Sequence, residues 1–197
     1  MTPTVRECFR LMDEYAMLDN IRAHSVLVAR VAERLACDLA GNGGEVRVEV
    51  AVAGALLHDI AKTRCLKSGG DHAAEGAAIC REHGFDELVE IVGEHVVLAD
   101  GVAAEVHREK EIVYYADKRV KHDLIVDLDE RLQYILEQYG QGDPDLCAAI
   151  RRNFTNCHKV EAKIFNRLDY KPADLTVLVE PMVSDFHPAM QWQGVCV

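Results

Sequence analysis

The stretch Ala55-Leu56-Leu57-His58-Asp59-Ile60-Ala61-Lys62 closes an apolar run, Val50 to Leu57, with a histidine, an aspartate and a lysine. A run so apolar reads as buried, and it sets an imidazole and a carboxylate where water is scarce. Groups placed there need partners. A first-row metal ion satisfies an imidazole nitrogen and a carboxylate oxygen together. Whether the chain supplies further ligands depends on where its elements put them.

Those elements read as helices joined by short loops. Thr4 to Met17 has apolar residues near helical spacing. Ile21 to Ala40 puts His24 in line with Val28, Val31 and Leu35, and stops at Gly41-Asn42-Gly43-Gly44. The third helix, Val46 to Lys62, carries the opening stretch. After a turn at Lys67-Ser68-Gly69-Gly70-Asp71, a helix from His72 to Glu82 is capped by Asp71, and its Gly76 would let another backbone approach the histidine. In a helix from Asp86 to Val96, His95 extends the stripe of Leu88, Ile91 and Val92. A helix from about Ala103 to Leu124 aligns Asp117 with Val113, Val120 and Leu124. Two more follow, Asp127 to Tyr139 and Asp143 to Leu168. From Tyr170 onward the prolines and the β-favouring run Thr176 to Val179 predict an extended tail, either a strand or an arm on a partner subunit, which leaves a homodimer open.

His24, His58, Asp59, His72, His95 and Asp117 are thus metal-competent side chains on, or at the end of, buried helical faces. Any one alone is ordinarily a hydrogen-bonded core residue, a cap or an ion-pair partner. Together they are costly: burying that many ionisable groups without a cation forfeits on the order of several kcal/mol each in desolvation. A bound metal offsets those costs.

Composition narrows the remaining classes. At 197 residues, 49% hydrophobic and 28% charged, the chain suits one substantial core. No stretch of about 18 apolar residues predicts a membrane span, and Met1 to Cys8 lacks the pattern of a leader, so a cytoplasmic protein is expected. Seven scattered cysteines with no Cys-x-x-Cys pair read as reduced thiols. A net charge of −11 argues against nucleic acid as a partner while leaving room for a small phosphate ligand at a local basic cluster.

In order and spacing, His24, His58-Asp59-Ile60-Ala61-Lys62, His72 to Gly76, His95 and Ala116-Asp117-Lys118 resemble the HD-domain (HDIG-type) metal-dependent phosphohydrolase superfamily, over about residues 20–125. The spacing is similar to that of the small single-domain YqeK-like members, which hydrolyse dinucleoside polyphosphates. The resemblance implies an all-α HD-domain helical bundle, in agreement with the helices above, and the pattern of residues bounds that domain at 1–170, with an irregular or short β C-terminal tail over 171–197. It also implies one metal at His24, His58, Asp59 and Asp117, and a second at His72 and His95 with Asp59 shared, the ions being iron, manganese or another first-row metal. Ala61 stands where the family motif has glycine. The chain has no Gly-Tyr-Pro, and Glu94 precedes His95 where relatives that cleave cyclic dinucleotides have a second histidine, so that activity is not expected.

The expected reaction is attack on phosphorus by a hydroxide between the two ions, in a nucleotide or other small phosphoester. Asp59 and Lys62 are the expected catalytic residues, with Lys62, Lys118 and Arg119 as contacts for the phosphate. Each basic residue has a plainer reading as a solvated surface charge. Two alternatives share the ligand set: a mixed-valent di-iron oxygenase, and a signalling module that keeps the fold without the chemistry.

Overall fold

A computed structural model of the chain describes residues 1–102 and 108–179. Helix α1 (Val5–Glu14) opens on a reciprocal cap, in which the Glu7 backbone N–H donates to Thr4 Oγ1 and the Thr4 N–H donates to the Glu7 carboxylate. Helix α2 (Asp19–Gly41) and α3 (Val48–Leu57) pack closely against each other. α3 is apolar all round, and Val50 through Leu57 are buried, which makes it the centre of the bundle. Gly54 permits this. A Cβ there would lie 2.6 Å from Ile91 Cγ2 on the neighbouring helix.

α3 stops at Leu57 rather than running on to Lys62. His58 to Ala61 form turns, with the Ile60 N–H donating to Leu57 O and the Lys62 N–H to Asp59 O, and a new helix α4 (Lys62–Ser68) fills part of the expected loop. α5 (His72–Glu82) has the expected bounds, and the Asp71 carboxylate accepts from the Ala73 and Ala74 N–H groups. A 3-10 turn, Asp86–Leu88, leads into the short α6 (Val89–Glu94).

α7 (Glu109–Arg119) crosses the core, with Ile112 through Ala116 fully buried. The expected start of this helix, at Ala103, and His107 lie outside the described residues. Its expected end at Leu124 is replaced by a hairpin of β1 (Val120–Lys121) and β2 (Leu124–Ile125). Two features break the helix. His122 sits at φ +56°, and the buried Arg119 guanidinium holds Val126 O at 2.6 Å, folding the chain back. Leu124, counted on the buried stripe by its spacing, is 62% exposed.

α8 (Leu128–Tyr139) and α9 (Pro144–Phe165) follow, capped by the carboxylates of Asp127 and Asp143. They pair with each other, and both pack on α7. The all-α expectation holds, with the small hairpin as its β element. Within the β-favouring run of the tail, residues 176–178 instead belong to helix α10 (Leu175–Leu178), preceded by a 3-10 turn at Pro172–Asp174. Proline begins that turn, the Lys171 N–H donates to Asp174, and Leu175 is buried in the core, so local capping and burial outweigh β propensity. Residues 180–197 of the expected tail, including Trp192 and His187, lie outside the described residues.

Among the described residues no helix is long and apolar enough to cross a membrane. Cys8, Cys65, Cys80, Cys147 and Cys157 are free thiols. Cys37 departs from the expectation of reduced thiols and is disulfide-bonded.

Candidate metal centre

The turn after α3 aims His58 and Asp59 into the bundle, where both are fully buried. Around them α2 brings His24, α5 His72, the end of α6 His95 and α7 Asp117. His24, His58 and Asp59 offer ligand atoms within 4.8 Å of one another, and so do Asp59, His72 and His95. Asp117 joins the first group, its Oδ1 lying 3.0 Å from His24 Nε2 and 3.7 Å from His58 Nε2. The Asp59 carboxylate faces both ways: Oδ2 is 3.5 Å from His58 Nε2, while Oδ1 is 3.3 Å from His72 Nε2 and 3.6 Å from His95 Nε2. All six residues singled out in the sequence therefore meet in one place.

Backbone carbonyls set the tautomers. His58 Nδ1 donates to Ala55 O at 2.7 Å, His95 Nδ1 to Val92 O at 2.6 Å and His24 Nδ1 to His122 O at 3.2 Å. A carbonyl oxygen only accepts, so each neutral ring carries its proton on Nδ1 and turns the Nε2 lone pair toward the cluster. The hairpin thereby serves the site through its backbone, since the His122 side chain is exposed and its ring packs edge-on to Tyr134.

Lone pairs facing carboxylate oxygens repel unless a proton or a metal ion stands between them. His58 Nε2 and Asp59 Oδ1 are moreover buried without any hydrogen-bond partner among the described residues. Imidazole nitrogens and carboxylate oxygens are the donor set of first-row divalent ions, so the residues fit such a group.

The electrostatics agree with that fit. Burial opposes ionisation of Asp59, yet His58, His95 and Lys62 outweigh it and hold the carboxyl well below its usual range. Asp117 is likewise held low against burial, by Lys118, His24 and His58. Burial pushes His72 down to about 4 and lowers His24, leaving both neutral near pH 7. Burial also disfavours charge on His58, but the adjacent Asp59 carries it above the usual value.

Lys62 Nζ lies 2.6 Å from Asp59 Oδ2 with its side chain partly exposed to the cleft. Lys118 Nζ donates to His95 O at 2.6 Å and Asp117 Oδ2 at 2.9 Å, bracing two of the six residues against each other. Arg119 lies elsewhere. Its guanidinium is 1% exposed and donates to Val126 O, Tyr115 Oη and Pro172 O, a structural plug rather than a contact for substrate. Sequence alone reads Lys118 and Arg119 as phosphate contacts or solvated charges because their burial depends on acceptors supplied from distant segments.

The cluster floors a cleft of about 490 Å³ whose far wall comes from α8 and α9, including Arg131, Ile135, Leu146 and Ile150. Arg131 is absent from the sequence expectations. Its signal is its place on the inward stripe of α8, one turn after Leu128 and one before Ile135.

The HD domain profile matches residues 21–120. The uncharacterized protein MJ0778 of Methanocaldococcus jannaschii is 30% identical over 149 residues, covering 68% of this chain and 86% of its own. Ribonuclease Y of Fervidobacterium nodosum is 27% identical over 184 residues, 81% of this chain but 34% of the relative. Ribonuclease Y of Sulfurovum is 30% identical over 117 residues, 52% of this chain and 22% of the relative. The chain thus spans about a third or less of these ribonucleases. No solved structure matches it. The profile covers the elements that carry all six clustered residues, and on it the chain belongs to the HD domain family, a superfamily of metal-dependent phosphohydrolases.

Proposed function

We propose that the chain hydrolyses a small phosphoester, a nucleotide being the favoured class, with two first-row metal ions, iron or manganese, held by His24, His58, Asp59 and Asp117 on one side and by Asp59, His72 and His95 on the other. The observation that carries this is the Asp59 carboxylate, whose two oxygens face separate imidazole sets while Oδ1 has no hydrogen-bond partner among the described residues. Cations bound there supply an acidified water and neutralise phosphoryl oxygens.

The protein's own groups do the rest. His24, His58 and His95 present fixed lone pairs because their Nδ1 protons are tied to carbonyls. Lys62, at the cleft side of Asp59, meets a phosphoryl oxygen and stabilises charge developing on it. Lys118 fixes Asp117 relative to the main chain of His95. The apolar walls limit water around the reacting phosphorus. Lys62 favours an anionic substrate over a neutral polyol, and oxygen dependence decides between a phosphoester that is hydrolysed and a phosphonate that is oxidised.

Protein purified without chelator is analysed for metal and screened for orthophosphate release from nucleotides, with and without oxygen. Close to two ions per chain and oxygen-independent release, abolished in Asp59→Ala, are expected. Full release by Asp59→Ala, or oxygen consumption in place of phosphate release, overturns the assignment.

A further inference from the structure

Helices α8 and α9 lie beyond residue 120, where the family match ends, yet they wall the cleft over the His/Asp cluster. On that wall Arg131 is incompletely paired. Its side chain is 12% exposed, its Nη2 stands 4.0 Å from Asp117 Oδ1, and its Nε is buried with no hydrogen-bond partner among the described residues. A charge-assisted bond is about 2.7–2.9 Å long, so the approach to Asp117 falls short of one. The guanidinium carbon lies 5.5 Å from the centre of the Tyr134 ring, a contact that steadies the group without supplying an acceptor. A desolvated guanidinium with unused donors, beside a cluster suited to phosphoryl chemistry, calls for an anion that accepts through two oxygens.

The same wall is apolar beside Arg131. Ile135 lies one turn along α8, and Tyr139 and Leu146 stand at the rim, 55% and 40% exposed; Leu66 and Val97 face the cleft as well, 69% and 54% exposed. Exposed apolar groups gathered around one opening are the signature of a ligand body. A cleft of about 490 Å³ has the capacity of a small-molecule site.

We propose that Arg131 holds the substrate's phosphoryl group at the cluster and that the apolar rim takes the remaining body, so that α8 and α9 set specificity for a phosphoester with a compact aromatic body, such as a nucleoside monophosphate, over an RNA strand. This rests on the phosphohydrolase reading above. Calorimetric titration of the manganese-loaded full chain uses inorganic phosphate, adenosine monophosphate and a short oligoribonucleotide in turn. Arg131→Gln weakens phosphate and adenosine monophosphate about tenfold or more, as expected for loss of a charged hydrogen-bonding partner. Arg131→Lys, which keeps the charge and loses the fork, falls between. Leu146→Ser weakens adenosine monophosphate several-fold and leaves phosphate unchanged. Manganese content and the urea midpoint, measured on each variant, establish that the site and fold persist.

Phosphate binding within twofold of wild type in both Arg131 variants overturns the role of Arg131. An oligoribonucleotide that binds more tightly than adenosine monophosphate overturns the substrate class. Failure of the wild-type chain to take up either manganese or iron overturns the phosphohydrolase reading itself, and this proposal with it.

Discussion

Replacing Gly76 by alanine forces apart the helices that carry His72 and His95. A Cβ at Gly76 would lie 2.7 Å from Val92 Cγ1, 3.5 Å from Ile60 Cγ2 and 3.8 Å from His58 O. Non-bonded carbons rest at about 3.5–4.0 Å, so α5 and Val92 must part by roughly 1 Å. Val92 is fully buried and β-branched, and cannot swing aside cheaply. Such overpacking costs about 1–3 kcal/mol, offset by up to about 1 kcal/mol because alanine favours a helix over glycine. The net loss, about 0–3 kcal/mol, is too broad to decide anything by itself.

Geometry decides instead. His72 Nε2 and His95 Nε2 are 3.2 Å apart, and both face Asp59 Oδ1. Metal–ligand distances tolerate about ±0.2 Å, several times less than the forced displacement. Equilibrium dialysis against manganese should therefore show Gly76→Ala holding close to one tight ion, the group at His24, His58 and Asp117 being intact. Gly93→Ala is the control, since its Cβ would meet only Ala77 Cβ, at 3.4 Å, and it should keep two. Two ions bound by Gly76→Ala with wild-type affinity would refute the reasoning.

Lys62→Met should retain both ions while turnover of the phosphoester falls about 10²-fold, the scale for removing a donor that faces developing charge; unchanged turnover contradicts a role at the phosphoryl group. Arg119→Gln should lower stability to urea by about 3–5 kcal/mol, as for one partner removed from a buried charged network, while phosphate affinity of the folded fraction stays at the wild-type value; the reverse pattern would return Arg119 to the site. Chelator-treated protein should lose stability as pH falls from about 6.5 toward 4, the interval in which the unfolded chain protonates His72 and the folded chain does not. The slope is bounded by about 1.4 kcal/mol per pH unit for each such histidine; His24 adds with the same sign, and His58, whose affinity for a proton is raised, opposes. A urea midpoint that rises over this interval contradicts the proposed burial of neutral His72 and His24.

The six clustered residues were legible because each polar group interrupts or ends an apolar stripe, and a buried face constrains the direction of every side chain on it. The bounds of α5 were legible for a local reason too, with Asp71 as cap and Gly84 beyond its end. Other features depend on contacts that no window of sequence contains. Nothing in the sequence from Val46 to Lys62 signals a stop at Leu57, where the chain turns at His58 and Asp59. Val120 and Leu124 keep helical spacing although the chain there folds back onto Arg119. Lys118 and Arg119 read as solvated charges until His95 O, Val126 O and Pro172 O arrive from elsewhere to accept from them. Arg131 was hidden for the converse reason. Arginine on an amphipathic helix ordinarily faces water, and only the position of α8 against the cleft turns it inward.

The most direct measurement of the central claim is anomalous diffraction from a crystal of the protein soaked in manganese. Two peaks should flank the Asp59 carboxylate, one among His24, His58 and Asp117, the other beside His72 and His95. A crystal replete with manganese that shows no peak at Asp59, or peaks only on the surface, contradicts it.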